Sequence, residues 1–413
     1  MKRERSNSFM RTVAVALLIA AAGMSANCLG AQTSTPANAR QLLDHGDYKA
    51  AMTAFQSILS TDSSNRDARL GLAQAMTAVG DYATAESKLK QFAASTPGDA
   101  AIQNALGEVL LQTGRYAEAG DVFDRASKSS KGEDWLRAVL GKSRSLIARG
   151  QDDDARRLLE QFVDYYQSNN PVRAAELTLI AQGLDYIERF RDANSLYQAA
   201  RKADAGYVDA LTGQGELLNE KYAYGDAASS FSDALKINPN SVEAHIGLGE
   251  SRRADSSTQS HLEVENALKV NPNSVDALVL KAELELEEER DDLASADAKR
   301  ALGVNPNSVD ALAVVAAINY LADDKASLDA TTKQALGINP KAGAFYDVLS
   351  HFAVMNRRYQ AAVDFERKAV TLSPHLWSAR TELGIELLRI GNETEGRSEL
   401  EEAFKGDPFN IWA

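Results

Sequence analysis

Proline recurs at a fixed interval through the second half of the chain, at Pro239, Pro272, Pro306, Pro340, Pro374 and Pro408. The gaps are 33 residues once and 34 residues four times. Proline lacks the amide hydrogen that a helix interior needs, so each mark ends one helical segment. A 34-residue period in helix-forming sequence predicts stacked helix–turn–helix units, each leaning on its neighbours: a solenoid.

Three of the marks share one phrase: Asn238-Pro239-Asn240-Ser241-Val242-Glu243-Ala244, Asn271-Pro272-Asn273-Ser274-Val275-Asp276-Ala277 and Asn305-Pro306-Asn307-Ser308-Val309-Asp310-Ala311. Ser241, Ser274 and Ser308 stand where a hydroxyl caps the next helix. The acid two residues on falls in the first turn, where the helix dipole favours negative charge. Small residues recur at fixed offsets inside the period. One offset carries Gly215, Gly249, Ala282, Ala316, Ser350 and Gly384. A second carries Ala193, Ala227, Ala294 and Ala362, and a third carries Ala200, Ala234, Ala267, Ala301, Ala335, Ala369 and Ala403. Small side chains at those places let helices approach closely, and Leu211, Leu248, Leu278, Phe231 and Tyr224 fill the space between.

On these residues the chain resembles the tetratricopeptide repeat family. The pattern extends backward through Leu106, Gly107, Tyr116, Ala119, Phe123 and Ala126, through Leu72, Ala73, Tyr82, Ala85 and Pro97, and partly through Tyr48, Ala51 and Phe55. The resemblance implies an all-α, right-handed superhelical solenoid of about eleven units over residues 32–410. Leu328 and Ser260 depart from the small-residue rule, and the unit between Lys131 and Pro171 is about six residues too long.

Residues 1–31 differ in kind. Lys2, Arg3, Arg5 and Arg11 precede an apolar run from Thr12 to Met24, followed by small residues ending at Leu29-Gly30-Ala31. That layout is a bacterial-type secretory signal, too short for a stable span, and predicts export to the periplasm or beyond with no membrane span after cleavage. Cys28 is the only cysteine; Ser25 and Asn27 occupy the places where a lipoprotein signal carries leucine and a small residue, so lipid attachment is disfavoured. At the other end Ile411, Trp412 and Ala413 begin a further helix after the last mark, which suggests a truncated array.

The formal net charge is −13; the leader contributes net +3, so the remainder carries −16. Nucleic-acid binders show a basic face to phosphate, so this balance argues against RNA or DNA, and against pentatricopeptide repeats of similar length. No chemistry emerges. None of His45, His245, His261, His351 and His375 is followed by glutamate, so HExxH is absent, and none pairs at metal-ligand spacing. Gly141-Lys142-Ser143 mimics the end of a phosphate loop, but Leu136 stands at its first glycine. Gly213-Gln214-Gly215 and Gly247-Leu248-Gly249 lack a third glycine, and no nucleophile elbow occurs. The chain reads as a non-enzyme with neither cofactor nor metal.

In the family, the second, fifth, ninth and twelfth positions of each first helix face a concave groove. Here they hold Asp209, Thr212, Glu216 and Asn219, then Glu243, Ile246, Glu250 and Arg253, then Asp276, Val279, Glu283 and Leu286. Glu216, Glu250 and Glu283 stack at one offset as an acidic stripe, which suits a basic partner. The lysine–asparagine clamp by which some members hold a C-terminal carboxylate is absent. Further on the groove turns apolar and aromatic, with Tyr320, Asp347 and His351 at its wall. The resemblance implies an exported scaffold for protein or peptide partners. Two other roles fit the same sequence: a periplasmic adaptor of a polysaccharide-export or outer-membrane assembly machine, and the non-catalytic half of a secreted metalloprotease-like protein.

Overall fold

A computed structural model describes residues 35–409. The segment expected to be a secretory signal, Cys28 and the last four residues lie outside them. Every element among the described residues is a helix, and they form eleven antiparallel pairs, from Pro36–Asp44 with Tyr48–Thr61 to Trp377–Arg389 with Glu393–Gly406. Packing between helices runs within a pair and between neighbouring pairs. The chain is therefore an all-α solenoid.

Local chemistry explains the pairs. The hydroxyls of Ser241, Ser274 and Ser308 accept from the amides of Ala244, Ala277 and Ala311 at 3.2, 3.4 and 3.1 Å, the expected caps. Ala227, Ala234, Ala294, Ala301, Ala362 and Ala369 are fully buried at the close approaches. An aromatic ring fills the larger gaps. Phe231 lies so close to Gly215 and Gly247 that a Cβ there would stand 2.6 and 2.1 Å from its ring. The long unit differs in two ways. Its first helix, Gly132–Ile147, has 16 residues where its neighbour Ala100–Gln112 has 13. Its second is split at Glu160 into Asp152–Leu159 and Gln161–Asn169. Buried Phe162 and the stacked rings of Trp135 and Tyr165, 5.5 Å apart, fill the enlarged space.

The solenoid coils back on itself. Asn238 Nδ2 donates to the Tyr48 hydroxyl at 3.1 Å, and Asn240 Nδ2 donates to the Gly46 carbonyl at 3.1 Å. The next units repeat this: Asn271 to Tyr82 and Asn273 to Gly80, each at 3.0 Å, then Asn305 to Tyr116 at 3.0 Å and Asn307 to Gly114 at 2.9 Å. These partners are 189–194 residues apart, about five and a half units, so eleven units make two superhelical turns in contact. The remaining marks follow with other chemistry. Asn339 donates to the Ile147 carbonyl at 3.1 Å, and Lys341 pairs with Asp153 at 3.1 Å. His375 lies 3.7 Å from Glu188, and Lys221 pairs with Asp407 at 2.8 Å. Each proline loop of the second turn thus rests on a helix–helix turn of the first.

Candidate binding lumen

Coiling converts the expected concave groove into a lumen. A cavity of about 760 Å3 inside it is walled by both turns: Glu108, Arg144, Asp185, Tyr186, Asp209, Glu216, Glu243 and Asp276 from the inner helices, closed by His375, Trp377 and Asp407.

The ninth position of Val208–Glu220 places Glu216 in that wall. Glu250, at the same place in Val242–Arg252, continues the stripe. Water touches both, so exposed area alone would class them with ordinary surface acids; yet protein surrounds that water, and the enclosed setting governs their ionisation. Burial pushes the Glu216 carboxyl up to about 8, helped by Glu243 and Glu250 and opposed by Arg144. Burial likewise raises Glu250 to about 7, with Glu283 and Asp276 adding repulsion. Asp185 rises to about 7 through burial and Glu220, and Asp310 to about 6 through burial, Asp276 and Glu283.

Cations of the lumen are already engaged. Arg144 pairs with Glu108 at 3.0 Å, and Lys221 with Asp407 while standing 3.1 Å from the Phe190 ring centroid. Arg253 pairs with Glu283 at 2.7 Å and also with Glu287. His351 reaches Glu287 from two units further on, at 2.9 Å. Burial works against the charge of Glu287, but His351 and Arg253 outweigh it and hold its carboxyl down at about 2. By contrast Glu216, Glu243, Glu250, Asp276 and Asp310 have no ion-pair partner among the described residues.

The eight residues singled out from sequence therefore separate. Glu216 and Glu250 are unpaired acids of the lumen. Glu283, Arg253 and His351 belong to one ion-pair network with Glu287. Asn219 is tied to the next unit, donating to the Gly247 carbonyl at 3.0 Å and accepting from Ser251 at 2.8 Å. Tyr320 packs edge-on against Phe365 at 5.1 Å, under the Arg358 guanidinium. Asp347 is raised by burial and shares a hydrogen bond with Glu366, itself 1% exposed and raised well above the ordinary glutamate range by burial and by Asp347. Asp209, Glu243 and Asp276, which sequence reading gave mainly to helix N-termini, line the cavity as well; Ser241 and Ser274 cap the helices of the last two, and the helix of Asp209 has no side-chain cap. Glu108 and Asp185 were passed over, although the offset rule reaches them: they are the ninth residue of Ala100–Gln112 and the twelfth of Ala174–Tyr186. Nothing in the sequence pointed to Tyr222, His375 or Trp377, which come to the lumen by coiling.

Among the described residues no cluster could hold a metal ion, and no helix is long and apolar enough to cross a membrane.

No curated protein matches the sequence. Among solved structures, a chain in the crystal structure of the APC/C hetero-tetramer Cut9-Hcn1 is similar at 15% identity, covering 88% of this chain and 92% of that one, with a TM-score of 0.34. That superposition is too loose to bear on the fold described above. Models of the tetratricopeptide repeat match residues 42–108 and 76–138, residues 137–169 and residues 178–242. With the helix pairs continuing in the same register to Gly406, the chain belongs to the tetratricopeptide repeat family, as a scaffold for protein–protein interaction.

Proposed function

We propose that this chain is an exported, non-catalytic scaffold whose lumen holds an extended basic segment of a partner protein. The observation that carries the reading is the set of lumen carboxylates without ion-pair partners among the described residues, Glu216, Glu243, Glu250, Asp276 and Asp310 with Asp185 and Asp209, in a wall whose own cations are committed elsewhere. Enclosed like charges repel one another, and a partner bringing lysine or arginine relieves that repulsion while gaining complementarity. Aromatic faces at Tyr186, Tyr222 and Trp377 stand beside the acids, and an ammonium or guanidinium group is attracted to such faces. Export is inferred from the basic and apolar leader of residues 1–31.

Calorimetric titration with an oligo-lysine peptide tests the reading. Binding should weaken steeply with salt and strengthen as pH climbs through about 7 and 8, where Glu250 and Glu216 give up their protons. Glu216→Gln with Glu250→Gln should cut the affinity about tenfold or more, the loss expected when charge-assisted contacts are removed. Equal affinity for an oligo-glutamate peptide, or no effect of the double substitution, would remove the lumen from the binding site.

A further inference from the structure

The contacts between the two turns have three properties that bear on how a partner reaches the lumen. They join the proline loops to the turns and first helical residues of the earlier units, with Val304 as an apolar contact on the core of the first units, while the extensive helix packing runs between neighbouring units, so separating the turns leaves every helix pair intact. They are mostly hydrogen bonds at exposed or half-buried atoms, as in Tyr48 with Asn238 and Asn240 or Tyr116 with Asn305 and Asn307, which water can replace one by one; the bond of Asn271 to Tyr82 in the middle rung is buried. They are also specified. The same two asparagines, glycine and tyrosine recur in three consecutive rungs, and each first asparagine holds its own loop in shape, its Oδ1 accepting from the amide of the second at 3.0 Å.

We propose that this row is a releasable seam: the two turns part along it to admit a partner segment from the side and close again around that segment. A solenoid deforms as a spring, by small changes spread over many unit interfaces, so parting needs no single hinge. Unpaired lumen carboxylates push against closure, and an occupant that neutralises them favours the closed form, the differential interaction a population shift requires. The last clause rests on the basic-partner reading above; the seam does not.

The full chain carrying Cys28→Ser is compared in three forms. One is otherwise unchanged. One carries Asn240→Asp, Asn273→Asp and Asn307→Asp, which set carboxylates against the carbonyls of Gly46, Gly80 and Gly114. One carries Asp153→Cys and Lys341→Cys, joined across the seam by a short bis-maleimide. X-ray scattering should give a larger radius of gyration for the aspartate form at unchanged helical circular dichroism, and matching values for the other two. If the aspartate form loses helix, Tyr48→Phe, Tyr82→Phe and Tyr116→Phe replace it. A lysine-rich segment flanked on both sides by folded domains should bind the unchanged chain and fail to bind the crosslinked one, while a free-ended oligo-lysine peptide binds both. An intact-helix seam variant with unaltered dimensions overturns the proposal. So does a crosslinked chain that takes up the flanked segment as fast as the unchanged one. If the unchanged chain binds neither lysine ligand, the basic-partner reading falls, and the scattering comparison alone decides the seam.

Discussion

Glycine placement along the chain follows the seam residue by residue. In ten of the eleven units the turn between the two helices holds one residue at positive φ. In the first four units it is Gly46, Gly80, Gly114 and Gly150, and a Cβ there would stand 2.1, 2.1, 1.9 and 2.5 Å from the Oδ1 of Asn238, Asn271, Asn305 and Asn339. Where no asparagine sits on the turn, side chains occupy the same conformation at Glu188, Tyr222, Glu289, Asp323 and Arg357, with Gly391 of the last unit as the exception. The glycines thus answer to a loop half the chain away, as well as to the local dihedral. This separates two substitutions. Gly391→Ala, at φ 85° with open space around it, should cost about 1 kcal/mol for the left-handed backbone alone. Gly80→Ala adds a collision with Asn271 and should lower stability by clearly more in urea denaturation. Equal losses would mean that Asn271 moves aside freely, and the seam would then be loose at that rung.

Elements were the most legible scale. The asparagine–proline–asparagine–serine phrase correctly announced where helices stop and start, because capping acts over three or four residues. Ser308 is the test: its hydroxyl serves the Ala311 amide, and Ser308→Ala should lower the unfolding free energy by about 1 kcal/mol, with Ser308→Asp restoring most of the loss. An alanine variant as stable as the parent would show that water caps that helix equally well. The split second helix of the fourth unit was not readable. No proline or glycine lies between Asp152 and Asn169, and the break at Glu160 is settled by where Phe162 and Tyr165 pack, not by any local stop signal. The meaning of the asparagines was hidden for the same kind of reason. Locally they look like loop formers, and their partners on Gly46, Gly80 and Gly114 lie five and a half units upstream.

At the scale of the whole molecule, the period gave the solenoid and the helix offsets gave one wall of the lumen, but not its closure. Closure is what turns an acidic stripe into an enclosed acidic chamber, and it has a consequence for stability. Carboxyls free in the unfolded chain titrate near about 4. In the folded chain Asp310 is raised to about 6, Asp185 and Glu250 to about 7, and Glu216 to about 8. The folded state therefore binds more protons than the unfolded state between those limits, and stability must fall as pH rises through them. Glu287 acts in the opposite sense: held at about 2, it contributes stability above its unfolded value and loses it as pH falls toward 2. Lumen water screens the acids, so the slope will be shallower than that of fully buried groups. The melting temperature should then be highest near about pH 5 and decline toward about pH 9. Glu216→Gln with Glu250→Gln should flatten the alkaline decline, and added salt should flatten it too, since both weaken the same repulsion. A melting temperature that holds level or rises from pH 5 to pH 9 would mean that the acids titrate as ordinary surface groups, and that the two turns stand apart in solution.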